Sequence, residues 1–335
     1  GFEYDGRRFE DGTGYPSSVL ILDDDVTQGN LRFLMDVYLE TGEEKYKNAA
    51  LKGLDGILDI EKPGGGFPQR TGYGPDEYQS YVTLNDNALY DLVMLLLKGY
   101  DSFGESKYLD AAERAGQFLI RVQGNGGSDL QQGWAQQYKD DQPAWARRME
   151  PPSMCSSQTG SSINILIELY LATGNSTYLD PIPAAINWLT HPSTLIEKID
   201  EPGSYYWSRL YELITNKMIV GNRNNPDGPE YYYDYDPERD YGYSWLGNYG
   251  INSTMDKYNY LVSIDYNVSQ YIDWITVQPT SSSFLTKVYN AVDTINEDGF
   301  WLTTKEGATV IKDSLFAANV NAMIGYFDAL IHEKS

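Results

Sequence analysis

Four segments of the sequence gather side chains able to do chemistry. Leu22-Asp23-Asp24-Asp25, followed by Thr27 and Gln28, sets three carboxylates in succession. Such a run must be solvated, bound to a metal or used to cap a helix. Asp25 or Thr27 as N-cap of a helix through Leu31 accounts for it about as well as metal ligation does. Asn85-Asp86-Asn87-Ala88 opens another apolar stretch after a loop from Tyr73 to Val82, and Asp86 there fits a first helical turn equally well. Oxygen-rich clusters at loop–helix junctions also suit calcium, a hard cation that takes many oxygen ligands. Spacing alone leaves both readings open, and no EF-hand pattern is present.

The third segment runs from Gly133-Trp134 through Lys139-Asp140-Asp141 and Trp145-Ala146-Arg147-Arg148 to Glu150-Pro151-Pro152-Ser153. It mixes indoles, amides, carboxylates and guanidinium groups too densely for core packing. The mixture points to a substrate surface, with Trp134 or Trp145 stacking on a ring and Arg147 or Arg148 gripping a carboxylate bidentately. A rigid loop held by its own hydrogen bonds is the plainer alternative. The fourth segment joins Trp207-Ser208-Arg209-Leu210-Tyr211-Glu212, Thr215-Asn216-Lys217 and Gly221-Asn222-Arg223-Asn224 to a tyrosine-rich stretch ending Tyr243-Ser244-Trp245. Tyrosines there could merely seal one side of the fold. The cations interleaved with them point instead to a groove for an anionic sugar, with Lys217, Tyr243 and Trp245 among its candidates.

The elements that must position these segments repeat along the chain. Tyr38-Leu39-Glu40-Thr41-Gly42 through Tyr46 aligns with Tyr100–Tyr108 and with Tyr170–Tyr178. Each copy follows apolar residues spaced by three and four, such as Leu31, Leu34 and Met35, which mark one helix face. The glycine in each copy suits a helix C-cap, and a second periodic stretch follows it. Each unit therefore reads as helix, tight turn and antiparallel helix. Glycine-rich, aromatic loops follow the second helices, as in Gly64–Gln69 and Gly126–Gln136. Three such pairs closing into a ring would gather those loops at one end. The stretch from about 205 to 280 reads as elaborate loops with short strands or turns, with helices again at Phe284–Ile295 and Ser314–His332. Nothing resembles a linker, so residues 1–335 read as one domain.

Composition narrows the partners. A net charge of −23 argues against nucleic acid, whose phosphates need a basic footprint. It does not exclude a polyanionic sugar, because exposed charges are screened beyond ~8 Å at physiological salt and a local cationic site suffices. The 29 tyrosines and 7 tryptophans suit faces that are apolar yet wet. The 2 histidines have no nucleophile or metal-ligand pattern around them, which disfavours a serine–histidine triad or a histidine-rich zinc site. The single cysteine, Cys155, rules out an intrachain disulfide framework. No run is long and apolar enough to cross a membrane.

At the four segments the chain resembles the family 10 pectate lyases. That family's Asp-Asn-Asp-Ala-Thr, with a following Arg-Phe-Leu, is similar to Asp23–Thr27 and Arg32-Phe33-Leu34. Its Asn-Gly-Gly-Trp-Pro-Gln loop is similar to Gly64–Gln69, with Phe67 in place of the tryptophan, and its Asn-Asp-Asp-Ala-Met to Asn85–Leu89. The third and fourth segments match in order, so the resemblance covers most of the chain. It implies an (α/α)3 toroid that cleaves polygalacturonate or a related acidic polysaccharide by calcium-assisted β-elimination, as an extracellular or periplasmic monomer. By resemblance Arg223 is the base, and Asp86 shares the catalytic centre. Asp86 and Asp140 are then the calcium or substrate-positioning carboxylates, with Asp141 an alternative to Asp140. The chain departs from the family at Asn87 and Asn224, where acidic residues are usual, and at Ala317-Ala318-Asn319, where an arginine is expected. Lys305 or Lys312 is the candidate replacement for that arginine. Two other classes share such a scaffold. One is a glycoside hydrolase drawing two carboxylates from Asp86, Asp140 and Glu150, and the other is a uronate-binding protein without turnover.

Overall fold

The computed structural model describes residues 19–198, 201–225, 227–277, 282–295, 301–305, 308–311 and 319. The chain divides into two compact units, residues 1–256 and 257–335. The first unit holds all four chemical segments. Lys312, Ala317, Ala318 and the expected helix at Ser314–His332 lie outside the described residues, apart from Asn319.

Three helical hairpins follow one another in the first unit. Helix α1 (Val26–Thr41) leads into α2 (Glu44–Leu58), and α3 (Ala88–Phe103) leads into α4 (Ser106–Val122). Helix α5 (Ser156–Thr173) reaches the shorter α6 (Ile182–Leu189) through a 3-10 turn at Ser176–Tyr178. The repeated motif is the hinge of each hairpin. Gly42, Gly104 and Gly174 take φ of 67°, 71° and 70°, and their N–H groups donate to the carbonyls of Tyr38, Tyr100 and Tyr170 at 2.7 Å each. A residue with a Cβ would lose ~1–2 kcal/mol in that left-handed conformation, which is why glycine stands in all three copies.

The second tyrosine of the motif ties one hairpin to the next. Tyr108 donates its hydroxyl to Asp55 of α2 at 3.1 Å, and Tyr178 donates to Glu113 of α4 at 3.3 Å. Helices α1, α3 and α5 pack in one row, with α2 and α4 beside them. As the middle member, α3 buries Leu92, Val93, Leu95 and Leu96 completely. A helix flanked on several sides must be apolar round most of its surface, and each such leucine contributes roughly 1.5–3 kcal/mol.

Short strands carry the loops of the site. Strands β1 (Val82–Thr83), β2 (Gln137–Lys139) and β3 (Gln142–Pro143) form one antiparallel sheet. Strand β4 (Ser153–Cys155) joins a second sheet described below with its partners, while β5 (Ile196–Glu197) and β6 (Tyr205–Ser208) pair with each other. The second sheet runs from β4 through β7 (Leu210–Glu212) and β8 (Met218–Gly221) to β9 (Tyr231–Tyr232). Strand β10 (Leu246–Gly247) pairs with β6. Cys155 is fully buried in β4, as a small apolar residue.

The expectation of irregular structure as far as 280 needs correction. Helix α7 (Ile251–Ser263) begins well before that point, and α8 (Val268–Val277) follows it. Ile251, Thr254, Tyr258 and Leu261 form the buried face of α7 at helical spacing. That period is masked in the sequence because a threonine and a tyrosine occupy two of its apolar positions. In the second unit α9 (Ser282–Thr294) covers most of the helix expected at Phe284–Ile295, and β11 (Leu302–Lys305) pairs with β12 (Ala308–Ile311).

Candidate active site

Two loop–helix junctions with the same backbone meet at the centre of the site. Before α1, Asp24 and Asp25 take φ of 51° and 59°; before α3, Asp86 and Asn87 take 49° and 59°. Aspartate and asparagine tolerate this left-handed region better than other residues with a Cβ, so part of their presence is a backbone requirement. The two 3-10 turns, Asp23–Asp25 and Asn85–Asn87, pack against each other. Among the described residues, Asp23, Asp24 and Asp86 each bring a carboxylate oxygen within 4.8 Å of the others.

Asp23 is buried and bonds Arg70 at 2.6 Å through Oδ2, while its buried Oδ1 has no hydrogen-bond partner among the described residues. Partial burial holds the Asp86 carboxyl above its ordinary value. The charge of Arg209 works against that shift, and Asp23 and Asp24 add to it. Arg209 stands 3.6 Å from Asp86 and is itself fixed by Asn85 at 2.7 Å and Gln136 at 3.2 Å. A cluster of like charges with an orphaned buried oxygen fits a hard divalent cation. Ligands at ~2.3–2.6 Å from calcium lie no more than ~5 Å from one another.

Asp23 and Asp86 border a polar cavity of about 130 Å3 whose other walls include Tyr78, Gln137, Arg147 and Glu150. Glu150 is buried and grips Arg147 bidentately, at 2.8 Å to Nε and 2.5 Å to Nη2. Burial pushes the Glu150 carboxyl up, but the Arg147 hydrogen bonds and charge outweigh it and leave the group below its ordinary range. Arg147 in turn donates from Nη1 to the Tyr243 hydroxyl at 3.1 Å. The exposed Arg223 lies over the ring of that tyrosine, its guanidinium carbon 4.3 Å from the ring centre. Arg147, Tyr243 and Arg223 are thus brought together, and Arg148 helps. Its Nη2 donates to the carbonyl of Asn222 at 2.7 Å, pinning the loop that carries Arg223.

Glu150 therefore sets where Arg147 points. Glu150→Ala is expected to cost ~2–3 kcal/mol at pH 7, the low end for a broken buried pair because the Arg147 side chain is 34% exposed. A carboxyl held low in the folded state stabilises above its unfolded pKa and loses that contribution as pH falls through the folded value. The difference between wild type and variant in urea unfolding should accordingly shrink below about pH 4.

Several expected site residues lie elsewhere. Trp134 is fully buried, with its indole N–H on the Leu119 carbonyl at 2.8 Å, so it has no face for a substrate. Trp245 is also buried and packs edge-on to Tyr243 at 5.8 Å, supporting that ring rather than a ligand. Its indole lies so close to Gly221 that a Cβ there would come within 2.3 Å. Asp140 does not join Asp86. It and Asp141 are the two turn residues between Lys139 and Gln142, with φ of 50° and 60°, the signs a type I′ hairpin turn requires. Asp140 lines a different cavity with Tyr81 and Lys139, and Asp141 is held by Arg121 at 2.7 Å. Lys217 is exposed over the ring of Tyr233, 5.7 Å from its centre. Asp23 and Asp24 come from the run for which the sequence leaves helix capping and metal ligation both open, while Arg70 and Arg209 carry no assigned role in the sequence reading. The signal for the first two was present, because one interval separates Leu22 from Leu84, Asp24 from Asp86 and Tyr38 from Tyr100.

The family model described as pectic acid lyase matches residues 14–253. No curated protein sequence matches the chain. Among solved structures, the family 10 polysaccharide lyase from Cellvibrio cellulosa is similar at 24% identity and a TM-score of 0.62, over 76% of this chain and 84% of that one. A point mutant of that lyase, in complex with trigalacturonic acid, is similar at 25% identity and a TM-score of 0.57, over 69% and 79% of the two chains.

Proposed function

We propose that the chain, which belongs to the pectic acid lyase family and is a polysaccharide lyase, cleaves α-1,4-linked polygalacturonate by calcium-assisted β-elimination. The observation that carries this reading is the convergence of Asp23, Asp24 and Asp86 beside a cavity bordered by Arg147. The trigalacturonic acid bound by the Cellvibrio cellulosa enzyme supports the substrate class. The three hairpins fit an (α/α)3 toroid, and the helices among the described residues are none of them long and apolar enough to cross a membrane.

Asp23, Asp24 and Asp86 would hold calcium, Asp23 through the oxygen that has no partner among the described residues. When bound, calcium would supply the positive charge that neutralises the uronate carboxylate and so acidifies the adjacent C5 hydrogen. Arg147, fixed by Glu150, offers a second cation to substrate carboxylates. Arg223 accepts the C5 proton. The C5–H electron pair becomes the C4=C5 bond as the C4–O bond breaks, and the departing oxygen takes a proton from water. Arg147 and Arg223 flank the same tyrosine, their guanidinium carbons 5.5 Å and 4.3 Å from its ring centre.

The hydrolase alternative needs a carboxylic acid that gives up a proton to the leaving group. Of its three candidates, Glu150 is held in its ionised form by Arg147 and Asp140 sits in a hairpin turn, so the acid's part would fall to Asp86, whose carboxyl burial holds above its ordinary value. Ultraviolet absorbance of the unsaturated product on de-esterified polygalacturonate tests the proposal. Absorbance that grows and is lost with a chelator is expected; reducing ends without absorbance would indicate hydrolysis, and neither signal a binding protein.

A further inference from the structure

We propose that Trp145, Tyr231 and Tyr233, with Lys217 at the far end, form a platform that carries sugar residues of the polyuronate chain beyond the cavity. The inference rests on the substrate reading above. Trp145 is 45% exposed and adjoins Ala146 and Arg147, which line the cavity. From it the rings continue as a row: Trp145 to Tyr231 at 6.5 Å between centres, then Tyr231 to Tyr233 at 5.7 Å. Tyr233 is also 45% exposed, and the Lys217 ammonium stands 5.7 Å from its ring centre.

Tyr231 in β9 and Tyr233 just beyond its end meet edge to face, while Tyr232 between them receives Arg239, 3.7 Å from its ring centre. Strand β9 pairs with β8, matching Tyr231 to Gly221. The same ladder therefore fixes the platform and the start of the loop bearing Arg223. Tyr231 is packed against the core formed by Met149, Val220 and Trp245. The Tyr233 hydroxyl donates to Glu212 at 2.5 Å. Hydrogen bonds from Thr215 and Tyr233 hold the Glu212 carboxyl below its ordinary value, so the tether keeps its charge.

Trp145 and Tyr233, with the half-buried Tyr231 between them, expose aromatic surface that packing does not use, and such patches mark binding sites. Aromatic rings with polar tips accept the C–H faces of sugars while remaining wet. The occupant is a uronate chain rather than a neutral one because Lys217 closes the row and Arg147 begins it, and because the row is continuous with the cavity wall.

Full-length Trp145→Ala and Tyr233→Ala variants test this against two substrates, long polygalacturonate and trigalacturonate. For the polymer, KM is expected to rise about tenfold in each variant, or ~1.4 kcal/mol of binding, with kcat within about twofold and trimer kinetics unchanged. Circular dichroism and melting temperature check that each variant folds. An unchanged polymer KM in both folded variants overturns the platform. So does an equal rise for the trimer, which would place these rings at the cavity itself. Equilibrium binding of polygalacturonate separates the two readings. Weakened polymer binding in the variants of a protein that forms no unsaturated product keeps the platform and removes the lyase. An active lyase whose variants bind polymer normally does the reverse.

Discussion

Arg223→Ala is expected to lower turnover on polygalacturonate by about a thousandfold, within the range that one well-placed proton-transfer group contributes. The melting temperature should barely move. Arg223 is exposed, and the contact described for its side chain is the face of Tyr243. Removing it leaves no buried group unpaired, and exposed substitutions of that kind usually stay within ~0.5 kcal/mol. The pattern to look for is a large fall in kcat with KM nearly constant, because a base acts in the transition state rather than in substrate binding. Near-normal kcat would remove Arg223 from the reaction and leave Arg147 as the cation to examine.

Asp86→Asn is expected to raise the calcium concentration needed for half-maximal activity by at least about tenfold, each decade being ~1.4 kcal/mol. The substitution keeps the side-chain shape and, as Asn87 shows, suits left-handed backbone, so the junction should survive. Without calcium the same change should stabilise the protein. A carboxyl whose folded pKa is raised binds more protons folded than unfolded just above its ordinary pKa, so stability falls as pH rises through that window. Asp86 is such a group, and Asp23 and Asp24 contribute to its shift. Thermal unfolding in chelator should show wild type losing stability across that pH window and Asp86→Asn remaining flatter. Equal calcium dependence in the two proteins would take Asp86 out of the metal site.

Much of the scaffold was legible because it is written in short-range rules. The glycine after each Tyr-containing helix end demands a left-handed cap, and the same three-and-four spacing recurs before it. Residues whose role depends on burial were less legible. Trp134 sits among amides, carboxylates and arginines in sequence, yet a fold that places Leu119 and Thr159 around it buries it completely. Asp140 was misread for a different reason, since two adjacent aspartates can serve metal or turn and only the flanking strands decide. For the run at Asp23–Asp25 the sequence leaves capping and ligation open, and the repeat decides between them, since Asp24 occupies the place of Asp86 one interval earlier and the fold brings the two together. Arg209 reaches Asp86 from far along the chain, a contact that no local pattern encodes.

The most direct test is to follow polygalacturonate deuterated at C5 through cleavage in ordinary water and weigh the products. Elimination through Arg223 requires that each cleavage release the C5 label to solvent and leave a new end one water lighter than a hydrolytic product. Products that keep the label at every C5, with masses summing to substrate plus water, would contradict the account.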